Sequence, residues 1–128
     1  ATLNFFSVVV KENRIISTGY NGFLPGFPHE SYVKNDHEQN TIHAEDNALT
    51  QCGVNGISCQ GATIYTTHFP CHNCTKSIIN HRIKKVVYLH EYKKDSEAER
   101  KLQYAKIEIK KLTSAHKVSY RFSIIMHI

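Results

Sequence analysis

Two short stretches constrain this chain more than anything else in it: His43-Ala44-Glu45 and Pro70-Cys71-His72-Asn73-Cys74. Proline favours the first turn of a helix, so Pro70 predicts a helix from about Cys71 to Asn80. A Cys-x-x-Cys at a helix start brings both sulfurs to one spot, where unpaired N–H groups and the positive end of the helix favour thiolates. His43 lies near the start of a second helix, read over Thr41 to Gln51 with Gly53 just beyond it. If the two helix starts lie side by side, one imidazole and two thiolates make three corners of a tetrahedron. Three protein ligands with one open position describe a catalytic zinc. A closed zinc-ribbon site needs a fourth ligand. The sequence has no second close cysteine pair, and His72 is expected to face outward. A thioredoxin-like redox site would leave His43 and Glu45 without a role. Glu45, two residues past His43, is placed to reach both a metal-activated water and a substrate, as a proton carrier must.

The rest of the chain supplies a frame for these helices. Phe5 to Val10 and Ile15 to Tyr20 are β-forming runs about a polar turn at Lys11-Glu12-Asn13, which predicts a hairpin. Asn21 to Asn40 reads as a long loop, and long loops in small domains are often functional. Ala62 to Thr66, Val86 to Leu89 and Ile107 to Lys110 read as strands. Ser96-Glu97-Ala98-Glu99 reads as a capping box opening a helix to about Ala105. The order β-β-α-β-α-β-α-β implies an α/β layered domain on a mixed sheet. Val118, Tyr120, Phe122, Ile124, Met126 and Ile128 alternate as a strand would, in an extra tail over 113–128 that pairs with a sheet edge or enters a subunit contact.

A length of 128 residues suits one domain, here expected over 1–128. No apolar run approaches the roughly 18 residues of a membrane-spanning helix. The first residues lack a basic start followed by an apolar stretch, so no secretory signal is expected. Cys52 and Cys59 are expected as reduced thiols, which gives a cytoplasmic expectation. Charge is uneven: three Lys/Arg against six Asp/Glu up to residue 74, then thirteen against five. A basic half can attract phosphate or nucleic acid, or can simply keep a surface solvated; the second reading is preferred.

At these residues the chain resembles the deoxycytidylate (dCMP) deaminase family of the cytidine-deaminase-like superfamily. The matching stretches are Arg14 to Gly22, with its Gly19-Tyr20-Asn21-Gly22 step, then Thr41 to Leu49, Thr67 to Ile79 and Ile83 to Tyr88. The resemblance covers roughly residues 5 to 112 and is closest to bacterial competence-operon and phage members. His-x-Glu followed by Pro-Cys-x-x-Cys is also the established signature of zinc base deaminases, so the zinc reading is not independent of that pattern. The resemblance implies a three-layer α/β/α sandwich on a mixed five-stranded sheet. It implies hydrolysis of dCMP to dUMP and ammonia, with one catalytic Zn2+ on His43, Cys71 and Cys74. Asn21 is implied to bond the deoxyribose, Phe69 to line the base pocket and Tyr92 to close over the base. It further implies a homo-oligomer, usually a hexamer, switched by dCTP and dTTP, with Tyr20 and Gly22 as effector contacts.

The chain also departs from the family. The family's opening helix and Cys-x-Arg step are not expected within these residues, and its Val-Gly-Ala at the first strand is Phe5-Phe6-Ser7 here. A bulky Phe6 in place of Gly is expected to narrow the pocket or shift its wall. Some members bind a second, structural zinc from the long loop. That loop offers His29, Glu30, His37 and Glu38 but no cysteine. Two alternatives to a nucleotide deaminase stay open: a tRNA or other nucleic-acid deaminase using the same zinc motif, and a catalytically impaired zinc-binding relative. The Gly-Tyr-Asn-Gly step and Asn47 speak for the nucleotide substrate.

Overall fold

Strand β1 (Phe6–Lys11) runs antiparallel to β2 (Arg14–Tyr20), joined by a two-residue turn. Glu12 and Asn13 both have positive φ, 52° and 63°. That geometry matches the right-handed twist of the strands it joins. The computed structural model describes residues 5–91 and 94–112. The alternating tail expected over 113–128 lies outside the described residues.

The segment expected as an irregular loop contains two small ladders. Strand β3 (Gly22–Phe23) pairs with β6 (Thr41–Ile42), and β4 (Val33–Lys34) with β5 (His37–Glu38). Pairings this short leave no periodic trace in a sequence. The Glu38 carboxylate gathers this segment. It accepts from the Ser31 hydroxyl, from Tyr32 N–H at 2.9 Å and from Asn40 N–H at 3.0 Å. These bonds, led by Ser31, hold its pKa down at about 2 against an ordinary 4.5. A depressed carboxylate stabilises the fold fully above its unfolded pKa and loses that contribution as pH falls through its folded value. Amide protection at Tyr32 and Asn40 is therefore expected to be constant above pH 4.5 and to fall between there and about pH 2. Hydrogen exchange measures it; protection that persists unchanged below pH 2 would contradict the anchor.

The β3–β6 ladder takes Thr41 and Ile42, so helix α1 (Ala44–Val54) starts later than the sequence pattern suggests, with His43 as N-cap. Gly53 falls inside it. The chain then runs through β7 (Thr63–His68), α2 (His72–Asn80), β8 (Lys85–His90), α3 (Ser96–Tyr104) and β9 (Glu108–Lys111). The cap of α3 is Asp95, not Ser96. Its carboxylate accepts from Glu97 N–H at 2.9 Å and Ala98 N–H at 3.2 Å.

The main sheet has the order β2-β1-β7-β8-β9, antiparallel at β2-β1-β7 and parallel at β7-β8-β9. This is the expected mixed five-stranded α/β sheet. Side chains alternate across it. Val9, Ile64 and Val86 share one face and one core with Leu49, Ile78 and Leu102 of the three helices. Among the described residues the helices thus form one layer on that face, with α2 touching both α1 and α3. Val8 and Val87 on the other face are also buried. The alternation also relocates an expectation. Phe6 falls out of phase with Ser7 and Val9, so it is Phe5, not Phe6, that reaches the cavity described below.

Helix α1 lies unusually close to β2. A Cβ built on Gly19 would sit 2.4 Å from Ala44 O and 2.4 Å from Ala48 N. Ser17 Oγ donates to Ala48 O at 2.6 Å across the same contact. This approach sets the depth at which α1 delivers His43 and Glu45.

Candidate active site

The starts of α1 and α2 meet above the carboxyl end of β7. His43 Nδ1 lies 3.4 Å from Cys71 Sγ and 3.3 Å from Cys74 Sγ. Among the described residues, these three are the group whose ligand atoms converge, all within 4.8 Å of one another. A tetrahedral zinc with ordinary Zn–N and Zn–S bonds spans N···S edges of about 3.6 Å, so the site fits zinc with a few tenths of an ångström of expansion. Two sulfurs and an imidazole are also a donor set that zinc favours. His29, Glu30, His37 and Glu38 form no such group, and Glu38 is occupied by the loop. His72, expected to face outward, has a buried Nε2 with no hydrogen-bond partner among the described residues, and it stands apart from the converging three.

The two thiols are electrostatically unequal. A hydrogen bond from Cys74, aided by His43 and by the Cys74 N–H, draws the Cys71 pKa down to about 4. The same hydrogen bond and burial push Cys74 up. Before metal arrives, one thiolate stands beside one thiol, and His43 is raised chiefly by its hydrogen bond with Cys71. Metal binding displaces the remaining thiol proton.

Glu45 sits one helical step inward of His43. It is 6% exposed, and burial raises its pKa, although Cys74 and His43 pull the other way. Thr66 Oγ1 donates to its Oε1 at 3.2 Å, and Ser7 Oγ lies 3.4 Å from the same oxygen. Sequence reasoning missed both hydroxyls. The available signal was their phase: Ser7 alternates with Val9, and Thr66 with Ile64, so both face inward.

Asn21 Oδ1 accepts Ala44 N–H at 2.8 Å. His43 makes no side-chain cap of its own, so Asn21 caps α1 from a distant loop. One lone pair of its oxygen is thereby committed, and both its N–H donors stay available to a ligand. Asn47 Nδ2 donates to Tyr20 O at 3.0 Å, tying α1 to the Gly-Tyr-Asn-Gly step a second time.

A cavity of about 260 Å³ opens beside these groups, lined by Phe5, Asn21, His43, Glu45, His68, Phe69, Cys71 and Asp95. Phe69 is both pocket wall and core. It meets Tyr88 edge-on at 5.0 Å, and Lys94 Nζ stands 5.3 Å from its ring centre. His68 is part of the wall. It leans on Phe5 at 4.3 Å, and burial followed by its neighbour His90 lowers its pKa. Tyr92 lies outside the described residues. A larger cavity of about 690 Å³ lies on the other side of Asn21, with Tyr20, Gly22 and Asn47 in its lining.

The sequence profile described as "Cytidine and deoxycytidylate deaminase zinc-binding region" matches residues 2–90. The chain belongs to that family. Within it, the chain is 38% identical over 114 residues to ComE operon protein 2 of Bacillus subtilis, covering 86% of this chain and 60% of that protein. It is 34% identical over 116 residues to the deoxycytidylate deaminase of Saccharomyces cerevisiae, covering 83% of this chain and 37% of that one. The chain thus spans 60% or less of these two relatives. The dCMP deaminase of cyanophage S-TIM5, solved in complex with dCMP and dUMP, superposes with a TM-score of 0.77 at 30% identity, covering 88% of this chain and 83% of that one. His43, Cys71 and Cys74 all lie within the matched zinc-binding region. Among the described residues, no helix is long and apolar enough to cross a membrane.

Proposed function

We propose that the protein hydrolyses dCMP to dUMP and ammonia at a zinc held by His43, Cys71 and Cys74, with Glu45 as the proton carrier. The observation that carries the reading is a buried carboxylate two residues past His43, which converges with Cys71 and Cys74, at the wall of a cavity of about 260 Å³. When bound, zinc supplies the Lewis acidity that makes hydroxide available near neutral pH. Glu45 takes the proton given up by the attacking water and delivers it to the ring nitrogen. It then takes the proton of the new C4 hydroxyl and hands it to the amine as the C4–N bond breaks, so that the water oxygen stays as the carbonyl and the amino group leaves as ammonia. Burial supports this role, because a carboxylate with a raised pKa holds and releases protons closer to neutrality.

Asn21 donates to the deoxyribose through its free N–H. Phe69 lines one side of the base. The choice of dCMP follows the relatives, and the S-TIM5 enzyme with dCMP and dUMP bound is the structural support. Tyr20 and Gly22 contact a nucleotide effector in the larger cavity, which shares Asn21 with the active-site cavity. Exposed Tyr20, Phe27, Tyr32 and Val33 support a homo-oligomer, a hexamer by family likeness. Cys52 and Cys59, buried and in no disulfide, suit a reducing compartment such as the cytoplasm.

Ammonia release from dCMP, dCTP, cytidine and a tRNA anticodon stem, each with zinc-loaded protein, tests the reading. Turnover is expected on dCMP, raised by dCTP and lowered by dTTP, from a species of hexameric mass by light scattering. Turnover of the tRNA alone would move the protein to a nucleic-acid deaminase. Zinc content with no turnover on any substrate would make it a zinc-binding relative without the activity.

A further inference from the structure

Ser7 on β1 and Thr66 on β7 face each other in register across the centre of the sheet. Both are fully buried. Their hydroxyl oxygens are 3.2 Å apart. Thr66 donates to Glu45 Oε1, and Ser7 reaches either Thr66 or that same oxygen. Each hydroxyl has one proton to give. Ser7 ends either on Oε1 itself or on the Thr66 hydroxyl that donates to Oε1, and neither hydroxyl contacts Oε2. The donors stand on two adjacent central strands, where side-chain positions are held more tightly than on loops.

A buried carboxylate needs partners in any case. That need alone would be met by hydroxyls on either oxygen. What the geometry adds is asymmetry. We propose that Ser7 and Thr66 are positioning residues: together they hold Glu45 Oε1 and so present Oε2 as the oxygen that carries the proton. The inference rests on the reading of Glu45 as the proton carrier. Without the clamp, the carboxylate rotates about its terminal bond and spends part of its time with neither oxygen aligned. Displacements on the order of 1 Å at a reacting group can cost about a hundredfold in rate, so a partial loss of alignment has a measurable effect. The contacts of 3.2 to 3.4 Å are long for hydrogen bonds, as catalytic contacts often are before substrate binds.

The test uses zinc-loaded wild type, Ser7→Ala, Thr66→Val, Thr66→Ser and the double variant Ser7→Ala/Thr66→Val. Turnover of dCMP is measured with zinc content and melting temperature. Binding of dUMP is measured beside binding of a nucleotide whose ring is hydrated at C4, which resembles the transition state. Thr66→Val is expected to lower kcat about tenfold and Ser7→Ala about threefold, equivalent to ~1.4 and ~0.7 kcal/mol. KM, zinc content and dUMP affinity should stay within about twofold, a change of ~0.4 kcal/mol. Affinity for the hydrated analogue should fall in step with kcat. Thr66→Ser, which keeps the hydroxyl, should recover most of the loss. The double variant should fall short of the product of the singles, because both act through one oxygen. A lower melting temperature with unchanged kcat and unchanged analogue affinity would overturn the clamp and leave Ser7 and Thr66 as packing. A wild type inactive on dCMP would instead overturn the deaminase reading, and the clamp with it.

Discussion

Glu45→Gln is expected to keep its zinc and lose between about a hundredfold and ten-thousandfold of its turnover, the range over which general acid–base groups contribute. The substitution is nearly isosteric. A glutamine carbonyl can still accept the Thr66 hydroxyl in place of Oε1. What it cannot do is accept a proton from water and release it to the ring and the amine. His43, Cys71 and Cys74 are untouched, so metal content should match wild type in a chelator-dye titration. The loss belongs in kcat, since the amide still fills the same corner of the cavity. Stability should move the other way. Burial raises the Glu45 pKa, so in the metal-free protein the desolvated carboxylate is a cost that is absent at low pH and grows as pH rises above the ordinary carboxylate range. A neutral amide carries none of it. The metal-free variant should therefore melt no lower than wild type at neutral pH. Retained turnover, or zinc lost along with activity, would remove Glu45 from the role of proton carrier.

Gly19→Ala is the second large effect. Its Cβ would meet two backbone atoms of α1 at 2.4 Å, and Ala48 Cα at 2.9 Å. Backbone cannot swing aside as a long side chain does, so strand and helix must separate. Overpacking of this kind costs about 3 kcal/mol, which for a domain this size is a fall of roughly 10 °C in Tm. The helix pushed outward bears His43 and Glu45, so turnover should fall even at temperatures where the variant is folded. Gly53→Ala is the control. It lies in the same helix with nothing within 4 Å of a built Cβ. It should gain about 0.5–1 kcal/mol from helix propensity. Circular dichroism melts of the two variants separate the contact from any generic effect of replacing glycine.

The convergence of His43, Cys71 and Cys74 was legible because metal chemistry demands particular residue types at fixed spacing, and both stretches stand at helix starts. The five strands of the main sheet were legible from their apolar runs. The start of α1 was misplaced by three residues, because Thr41 and Ile42 pair with Gly22 and Phe23, far away in sequence. Asp95 was overlooked as a cap beside a Ser-x-x-Glu-like run that fits the pattern equally well. Asn21 was read as a sugar ligand; that it also caps α1, by accepting Ala44 N–H, was not legible, because loop and helix are far apart in sequence. Ser7 and Thr66 were invisible as a pair, since nothing in sequence shows that two strands 59 residues apart lie in register.

The borrowed cap on α1 has a mechanical consequence. A helix that caps itself can stay wound while its neighbours shift. This one cannot: its first N–H is held by Asn21, and its second tie to the same loop runs from Asn47 to Tyr20. Loop and helix start are therefore one lever with the metal ligand at its end. A displacement of the Gly-Tyr-Asn-Gly step thus pulls on two hydrogen bonds at the start of α1, beside His43.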